Sequence, residues 1–479
     1  MKAANCTFGG GCGDAAAPAP SADLLAKARN HPCYSEEAHH HFARMHVAVA
    51  PACNIQCNYC NRKYDCANES RPDVVSERLT PAEAVRKVLA VAAEVPQLSV
   101  VGIAGPGDPL ANPERTFETL AGIRRAAPDL TLCLSTNGLA LPDHVEALAA
   151  LGVGHVTVTV NAIDPEIGAR IHPWIVWEGR KVEGLEAAGL LRRRQLEGIA
   201  ALRDRGMLCK VNSVLVPGVN DAHLPAVSRA VRSLGAFVHN AMPLISVPEH
   251  GTRFGLSGQR GPTAAELEAT QRACTGGEVM RHCRQCRADA VGMLGSDRHA
   301  EFALARLPAA PADASAAREA HRRATETHRR RLAAARDEAL AAAVHAPAGL
   351  SARVAIATRG EGIVNQHFGH ARELLVYDVS RDGARLVGLR KLEQYCQGGD
   401  GDDDALGTAI RALEGCDAVL VAKIGRCPKD ALADAGVEPV EAFAHQPIEA
   451  AVLGWFGGFA DRVARGEVVP RAATARQVA

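Results

Sequence analysis

The chain is 479 residues long, which is more than one ordinary hydrophobic core organises and predicts two or three folded units. Apolar residues make up 47% of it and charged residues 23%, and 54 Lys and Arg are balanced by 54 Asp and Glu. This is the composition of a globular protein, and a net charge of zero gives no electrostatic reason to expect nucleic acid as a partner.

The N-terminal segment MKAANCTFGGGCGDAAAPAPSAD is rich in Gly, Ala and Pro and lacks the apolar core of a signal peptide. We predict a disordered tail over residues 1–29 and assign no role to Cys6 and Cys12. No apolar run approaches the roughly 18 residues of a membrane span. These features predict a soluble, cytoplasmic protein with no membrane partner.

Short apolar segments alternate with longer amphipathic segments between residues 45 and 245, which is typical of repeated strand–helix units around a parallel sheet. The predicted strands are 45–50, 98–105, 130–138, 155–162, 209–218 and 236–244. After the first strand, Thr80 is a predicted N-cap and Pro81 suits the first helical position. Units of this number predict an α/β fold, a partial (β/α)6 TIM-like barrel, with ligand sites at the carboxyl ends of its strands.

Directly after the first predicted strand, the segment PACNIQCNYC places Cys53, Cys57 and Cys60 in one short loop. In a reducing compartment, thiolates at this density favour metal or redox chemistry over disulfides. Three thiolates can bind a cuboidal iron–sulfur cluster and leave its fourth iron open to an exogenous chelating molecule. A zinc site is the alternative, although structural zinc usually uses paired Cys-x-x-Cys units and a fourth ligand.

This Cys-x-x-x-Cys-x-x-Cys spacing, with an aromatic residue before the last cysteine, resembles that of the radical S-adenosylmethionine (SAM) enzymes. In that family the three cysteines hold a [4Fe-4S] cluster, which binds SAM and cleaves it to a 5'-deoxyadenosyl radical. The resemblance implies that Cys53, Cys57 and Cys60 are the catalytic cluster ligands and that Tyr59 lies at the cofactor site. It also implies an electron donor such as a ferredoxin or flavodoxin.

Polar residues at the ends of later strands fit the same family. The segment GPGDP ends the second strand where the family has a turn that binds the SAM amino group, which implies SAM contacts from Gly105, Gly107 and Asp108. Asn137 in STNG and Asn161 in VTVNA end the third and fourth strands, where the family places polar side chains on SAM. The spacing of these features behind the cysteine loop supports the resemblance.

Further cysteines exceed what one cluster needs. Side chains alternate along a strand, so Cys133, Ser135 and Asn137 share a face, and Cys133 points into the barrel if Asn137 does. The alternative is a cysteine packed as a small hydrophobe, which is our interpretation of Cys209 and Cys274.

The segment HCRQCRAD places Cys283 and Cys286 at the spacing of paired metal ligands, without a second such pair nearby. Cys33, in HPCYSEEAHHHFARMH ahead of the first strand, is a candidate to complete this set. That stretch holds five histidines between His31 and His46, and an imidazole can replace a thiolate on iron.

The contiguous string over residues 31–72 is similar to the start of a narrower family, the radical SAM enzymes that build the precursor of the nitrogenase iron–molybdenum cofactor. GPGDPL, STNGL and HCRQCRADAVGMLGSD fit that family as well. The resemblance implies a radical SAM domain with cluster-binding extensions over residues 30–300. In that family two further [4Fe-4S] clusters are bound as substrates and fused, with an added sulfur, into an 8Fe-9S-C cluster that has a central carbide.

Carried onto this sequence, the resemblance implies two ligand sets for the substrate clusters. One set is Cys33, Cys283 and Cys286, and the other is Cys66, Cys133 and a histidine. We favour His46 for the histidine because it lies at the start of the first strand, with His40 and His41 as the alternatives.

The family's reaction uses SAM in two ways. One SAM donates its methyl group to a cluster-bound sulfide, and a second gives the radical that abstracts hydrogen from that methyl. Glu69, just past the cysteine loop, is a candidate proton acceptor or SAM ligand, although an exposed loop glutamate is more often only solvated. The same two interpretations apply to Arg71.

Residues 301–350 are rich in Ala and Arg and lose apolar periodicity, which predicts a helical or partly disordered linker. A second mixed α/β domain is predicted over 351–465, followed by a tail at 466–479. On the segment NQHFGHA this domain resembles the NifX/NifY-type cofactor-binding domains, which have an RNase H-like α/β fold.

The NifX/NifY-type resemblance implies that His367 and His370 contact a cluster, and the alternative is a polar loop without a ligand role. Cys396 and Cys427 are weaker candidate ligands. The partners it implies are a cluster donor scaffold, a cofactor carrier and a downstream cofactor-assembly scaffold.

Two rival functions use the same motifs. A radical SAM maturase would bind permanent electron-transfer clusters with the extra cysteines. A passive iron–sulfur scaffold or carrier would bind iron and never cleave SAM.

Overall fold

The computed structural model describes residues 22–35, 37–61, 77–274, 278–280, 282–283, 285–392 and 403–468. The predictions for Cys6, Cys12, Cys66, Glu69, Arg71 and Cys396 fall outside these residues. No helix among the described residues combines the length and the apolarity that crossing a membrane requires.

The first unit is built on an open eight-stranded sheet. The strands of this unit, in chain order, are β1 (Ala43–His46), β2 (Ile55–Gln56), β3 (Leu98–Ile103), β4 (Thr131–Thr136), β5 (Val153–Thr159), β6 (Trp174–Trp177), β7 (Arg180–Glu183), β8 (Leu208–Leu215), β9 (Val238–Pro243), β10 (Glu278–Val279) and β11 (Val291–Gly292). The main sheet has the order β10-β9-β8-β5-β4-β3-β1-β11 and is parallel from β10 to β1, with β11 antiparallel at the edge. The remaining strands β2, β6 and β7 form a small antiparallel sheet. The predicted partial barrel is thereby confirmed.

Most helices of this unit follow the strands of this sheet and cover its outer face. They are α1 (Ala22–Ala28), α2 (Pro81–Glu94), α3 (Pro113–Ala126), α4 (Leu141–Ala150), α5 (Pro165–Ile171), α6 (Gly184–Asp204), α7 (Leu224–Ser233), α8 (Arg253–Leu256) and α9 (Ala264–Ala273). The predicted start of α2 is confirmed. The Glu83 backbone N–H donates to Thr80 Oγ1 at 3.3 Å, and the Thr80 backbone N–H donates to the Glu83 carboxylate at 2.7 Å.

The alternation predicted for the third parallel strand, β4, is also confirmed. Leu132 and Leu134 are buried in the apolar core between sheet and helices. Cys133 is paired with Gly102 of β3, and an ideal Cβ on that glycine would lie 3.8 Å from the Cys133 Cβ, so both positions face the barrel interior. The polar residues of β4 therefore line the inside of the barrel.

The first predicted strand is displaced from the observed one. Strand β1 spans Ala43–His46, whereas residues 45–50 were expected from their apolar run. Val47 still donates a backbone hydrogen bond to Gly102 at 3.0 Å, and residues 47–50 are fully buried beneath the cysteine loop. Their apolarity reflects this burial, which does not require strand pairing. The other predicted strands overlap β3, β4, β5, β8 and β9.

The predicted linker contains one long helix, α10 (Ser315–Ala343), of 29 residues. Of the two states expected for this stretch, helix and disorder, the structure has the helix. Its last turns join the apolar core of the second unit through Ala339, Leu340 and Ala343.

The second unit is a five-stranded mixed sheet with helices on both faces. Its elements are β12 (Ser351–Ile356), β13 (Glu373–Ser380), β14 (Gly383–Lys391), α11 (Asp403–Ala412), β15 (Ala418–Leu420), α12 (Arg426–Asp434), β16 (Glu438–Val440) and α13 (Ile448–Ala464). The order is β14-β13-β12-β15-β16, with β13 antiparallel to both of its neighbours. Counted within the unit this is the order 3-2-1-4-5, which agrees with the predicted RNase H-like fold.

Candidate active site

The loop that carries Cys53, Cys57 and Cys60 lies at the carboxyl end of the parallel sheet. The side chain of Gln56 donates to the backbone oxygens of Cys57 at 2.9 Å and of Cys60 at 3.2 Å, which fixes the curvature of the loop. All three cysteines pack with the apolar residues at the mouth of the barrel. The three predicted cysteines therefore lie on one short loop at the mouth of the barrel.

The GPGDP segment clasps this loop from the neighbouring strand. The backbone N–H of Gly107 donates to Ala50 O at 2.5 Å, and that of Asp108 donates to Ala52 O at 2.6 Å. A Cβ added at Gly107 would overlap the carbonyl oxygen of Ala52. Glycine is required at position 107 because the two backbones approach so closely.

Asp108 is buried and its carboxylate is used within the protein. It accepts hydrogen bonds from Thr136 Oγ1 at 2.9 Å, from the backbone N–H of Asn137 at 2.6 Å and from the backbone N–H of Leu110 at 2.9 Å. These bonds hold the ends of β3 and β4 together and orient Asn137. Direct contact between Asp108 and SAM stays a prediction.

The two asparagines predicted from their positions at strand ends both reach the cysteine loop. Asn137 donates from Nδ2 to Asn54 Oδ1 at 2.7 Å, and the same nitrogen lies 4.0 Å from Cys53 Sγ. Asn161 donates from Nδ2 to the hydroxyl of Tyr59 at 2.7 Å. Tyr59 is buried, and burial raises the pKa of its hydroxyl well above the usual value.

His172, which follows α5, joins this group and has no signal in the sequence. Its Nε2 lies 3.2 Å from Asn161 Nδ2, and burial lowers the pKa of the imidazole to about 4, so the ring is neutral. The Nδ1 atom is buried and has no hydrogen-bond partner among the described residues. A buried polar atom of this kind fits a site that takes a polar ligand.

A cavity of about 1070 Å³ opens beside Cys60 on the outer side of the loop. Its walls include Asn58, Trp174, Lys181 and Arg253, from the cysteine loop, the β6–β7 hairpin and α8. The cluster loop is therefore reachable from solvent on this side.

Inside the barrel, His46 and Cys133 flank Gly102 of β3. A Cβ on Gly102 would lie 3.1 Å from the His46 ring and 3.8 Å from the Cys133 Cβ. His46 Nδ1 lies 2.9 Å from Arg287 O, so it carries the proton and leaves the lone pair on Nε2. Burial, with the charge of Arg44 next, lowers the pKa of His46 to about 4. A neutral imidazole held by a backbone carbonyl is the form that ligates metals.

The alternative histidines lie elsewhere. His41 Nε2 lies 3.0 Å from the Glu37 carboxylate, and the ring of His40 lies against that of His39 with centroids 3.8 Å apart. Both precede β1, outside the row of inward-facing side chains that includes Cys133. The structure therefore places His46, and neither His40 nor His41, beside Cys133.

The three other predicted cysteines contact residues that line the barrel interior. Cys33 and Cys283 pack against the same small apolar cluster. Asn240 of β9 donates from Nδ2 to Cys283 Sγ at 3.4 Å. Arg44 of β1 donates to Cys286 Sγ at 3.1 and 3.3 Å, and a guanidinium in this position stabilises a thiolate.

Two inward-facing polar atoms lack partners among the described residues. They are Ser135 Oγ, between Cys133 and Asn137 on β4, and Asn240 Oδ1, beside Cys283. Within the described part of the chain, no three His, Cys, Asp or Glu side chains lie close enough to hold a single metal ion. The inner face thus carries soft ligand atoms together with polar atoms that have no partner among the described residues.

In the second unit, His367 and His370 lie together at the surface, with ring centroids 5.0 Å apart. His367 Nδ1 accepts the backbone N–H of Gly369 at 3.0 Å, and partial burial, with the neighbouring His370 next, lowers its pKa. Cys427 is exposed at the start of α12. The structure confirms that the two histidines are neighbours, while a ligand role for them stays a prediction.

An open parallel barrel with a three-cysteine loop after its first strand defines a radical SAM protein, and the Radical SAM superfamily model matches residues 47–231. A second family model, described as dinitrogenase iron-molybdenum cofactor, matches residues 351–458. The FeMo cofactor biosynthesis protein NifB of Herbaspirillum seropedicae is 57% identical over 96% of this chain and 89% of its own.

Two further relatives carry the same description. The NifB protein of Bradyrhizobium diazoefficiens is 56% identical over 93% of this chain and 90% of its own. That of Azotobacter vinelandii is 54% identical over 90% of this chain and 88% of its own. The chain belongs to the NifB family.

Proposed function

We propose that this protein fuses two [4Fe-4S] clusters into the 8Fe-9S-C precursor of the iron–molybdenum cofactor, with insertion of a SAM-derived carbide and an added sulfur. Its relatives are named as FeMo cofactor biosynthesis proteins. The radical SAM cluster of Cys53, Cys57 and Cys60 would be the resident cofactor, and the two other clusters would be substrates.

The observation that carries the proposal is the second and third groups of soft ligands in the barrel interior. His46 of β1 and Cys133 of β4 flank Gly102 of β3, and Arg44, two residues before His46, contacts Cys286 of the other group. A protein that only cleaves SAM needs one such group. Two additional groups that share strand β1 would hold two clusters near each other and near the cysteine loop.

We assign the substrate ligands as the family resemblance implies. Cys33, Cys283 and Cys286 would hold one cluster, and Cys133, His46 and Cys66 the other. Cys66 lies outside the described residues, as does Glu69, the candidate proton acceptor.

When bound, one SAM would supply a methyl group and a second SAM a 5'-deoxyadenosyl radical. The chain's own share is to position the reacting groups, because such transfers need near-contact distances of about 3 to 3.5 Å. Asn137 and Asn161 would orient SAM from the strand ends, and neutral His172 would accept or donate one hydrogen bond to it. The buried walls of the barrel would limit the access of water to the reacting groups.

The second unit would hold or pass on the product through His367 and His370. Its partners would then be a cofactor carrier and a downstream assembly scaffold. A cluster donor scaffold would serve the barrel, and an electron donor such as a ferredoxin or flavodoxin would reduce the loop cluster, with the cavity beside Cys60 giving solvent-side access.

The test is anaerobic reconstitution of the full chain with iron, sulfide and SAM, followed by analysis of both small products and cluster. We expect S-adenosylhomocysteine and 5'-deoxyadenosine together, and an eight-iron cluster that leaves the protein. A passive scaffold would give neither nucleoside. A maturase with permanent clusters would give 5'-deoxyadenosine and retain all its iron.

A further inference from the structure

Helix α10, which the sequence marks as a linker, is packed on the barrel over its first half. Arg318 is 3% exposed and forms two 2.8 Å hydrogen bonds with the carboxylate of Asp129, and Arg322 reaches the same carboxylate at 3.0 Å. His321 Nε2 lies 2.9 Å from the backbone oxygen of His41. The first two turns of the helix are therefore held to the barrel through Asp129 and through the backbone of His41.

About two turns further along, Arg329 binds the segment that precedes β1. The side chain is only 9% exposed. Its Nε donates to both carboxylate oxygens of Glu37 at 2.8 Å, Nη1 donates to Asn30 Oδ1 at 2.8 Å, and Nη2 donates to the backbone oxygen of Arg29 at 2.7 Å. The guanidinium also lies over the ring of Phe42, 5.2 Å from its centroid.

These partners bracket Cys33. Asn30 lies three residues before it and Glu37 four residues after it, so one guanidinium ties the two ends of the short segment that carries the thiol. From the other side, Ser99 Oγ of β3 donates to the backbone oxygen of Asn30 at 2.8 Å. The segment is clamped between the sheet and α10, and the position of Cys33 depends on both.

We propose that Arg329 is a positioning residue for Cys33, and hence for the substrate cluster that Cys33, Cys283 and Cys286 would bind. The second half of this statement rests on the proposed function, whereas the first half does not. The chemistry favours arginine, because a planar fork with five donors can serve a carboxylate, an amide and a carbonyl at once, and a lysine ammonium cannot.

The first test measures where Cys33 sits without any cluster. In the cluster-free full chain, site-resolved mass spectrometry would follow alkylation of each cysteine by iodoacetamide. In Arg329→Gln we expect Cys33 to react about tenfold faster or more, since the charge-assisted bonds that hold its segment are lost. Cys209, which is a buried residue of β8, should keep its rate.

The matched control is Arg330→Gln, because Arg330 is 77% exposed and pairs within its own helix with Glu326 at 3.5 Å. It should leave Cys33 as in the parent protein. Arg329→Lys should give an intermediate rate, and Glu37→Gln should reproduce the effect of Arg329→Gln from the other partner. An unchanged Cys33 rate in both Arg329→Gln and Glu37→Gln would overturn the proposal, as would equal acceleration at Cys209.

The second test uses the reconstituted protein. Arg329→Gln should lose the cluster signal that Cys283→Ala also loses, while 5'-deoxyadenosine formation continues. If the parent protein shows no such cluster, the proposed function fails, and the alkylation result still decides the placement of Cys33. If the parent has the cluster and Arg329→Gln retains it in full, the positioning role is wrong.

Discussion

The main sheets of the two units differ in the polarity of their faces. In the second unit both faces of the sheet are apolar: Val354 and Ile356 of β12 pack under α10 and α13, while Ala355 and Ala357 pack in the core that contains α11 and α12 residues. In the barrel one face is apolar and the other is lined by cysteine, histidine, asparagine and serine. Burying polar groups costs folding free energy unless they are hydrogen-bonded, so a buried polar face is a candidate ligand-binding surface.

Because of this difference, substitutions at the candidate ligands should act differently in the two units. The barrel carries its candidate chemistry inside, where each polar group costs folding free energy unless it is satisfied. The second unit carries its candidate ligands, His367 and His370, at the surface of a fully apolar sandwich. We therefore expect substitutions inside the barrel to affect activity and folding together, and substitutions at the surface histidines to affect neither strongly.

The largest expected effect comes from the cysteine loop. Cys53→Ala removes one of three thiolates that would hold the catalytic cluster, so formation of 5'-deoxyadenosine should fall to background. The measurement is chromatographic quantitation of that product after reduction with dithionite. Cys427→Ala, at an exposed site of the second unit, is the control and should keep parental activity. Retained SAM cleavage in Cys53→Ala would contradict the assignment of the catalytic cluster to this loop.

The next effect tests the clasp around the cysteine loop. Gly107→Ala forces a methyl group into the Ala52 carbonyl, and overpacking of this kind costs about 1–3 kcal/mol. We expect a lower midpoint in urea unfolding and loss of iron from the catalytic cluster. The control is Gly189→Ala in α6, where a Cβ meets nothing within 4 Å, and it should be neutral or stabilising. Equal midpoints for the two variants would show that the close approach is not there.

A pH titration sharpens the comparison between the two units. In the barrel, burial lowers the pKa of several histidines below 6.5, namely His31, His46, His155, His172 and His239. These rings are neutral in the folded state, so the unfolded chain binds more protons below pH 6.5. The stability that they contribute is complete above pH 6.5 and is lost as the pH falls towards about 4.

Hydrogen exchange followed peptide by peptide between pH 7 and pH 5 would test this, after correction for the intrinsic pH dependence of exchange. Barrel peptides from β4, β5 and β8 should lose protection first, and those of β12 and β13 should keep it. Earlier loss in β12 and β13 would contradict the assignment of buried neutral histidines to the barrel.

The smallest effect is expected at the surface of the second unit. His367→Ala with His370→Ala should leave the yield of 5'-deoxyadenosine and the unfolding midpoint within error of the parent, because surface substitutions usually change stability by less than about 0.5 kcal/mol. The variant should release the finished cluster more readily, which gel filtration with iron detection would show. A loss of SAM cleavage would mean that these histidines act on the barrel chemistry.

Much of the fold follows from local pattern. The alternation of Leu132, Cys133, Leu134 and Ser135 states which residues face the helices and which face the interior, and the structure agrees. The position of β1 could not be predicted in this way, because an apolar run indicates burial and does not indicate strand pairing. The linker shows another, because the contacts of Arg329 join residues roughly three hundred positions apart and leave no local periodicity.

Some residues of the candidate site could likewise be predicted from the sequence, and others could not. Asn137 and Asn161 could be predicted because strand ends in a parallel sheet meet at one edge. Arg44 and His172 could not, since a single arginine in a strand and a single histidine after a short helix look the same whether or not they contact Cys286 or Asn161. The direction of His46 also needed the structure, which places its ring over Gly102.

The most direct test of the central claim is a count of clusters in the anaerobically reconstituted full chain, by iron analysis together with EPR and Mössbauer spectroscopy. We expect about twelve iron atoms per chain in three four-iron clusters, and about eight in each of the variants Cys133→Ala and Cys283→Ala, with a different signal missing in each. A parent protein with about four iron atoms, or the same signal lost in both variants, would contradict the claim that the barrel interior holds two separate substrate clusters.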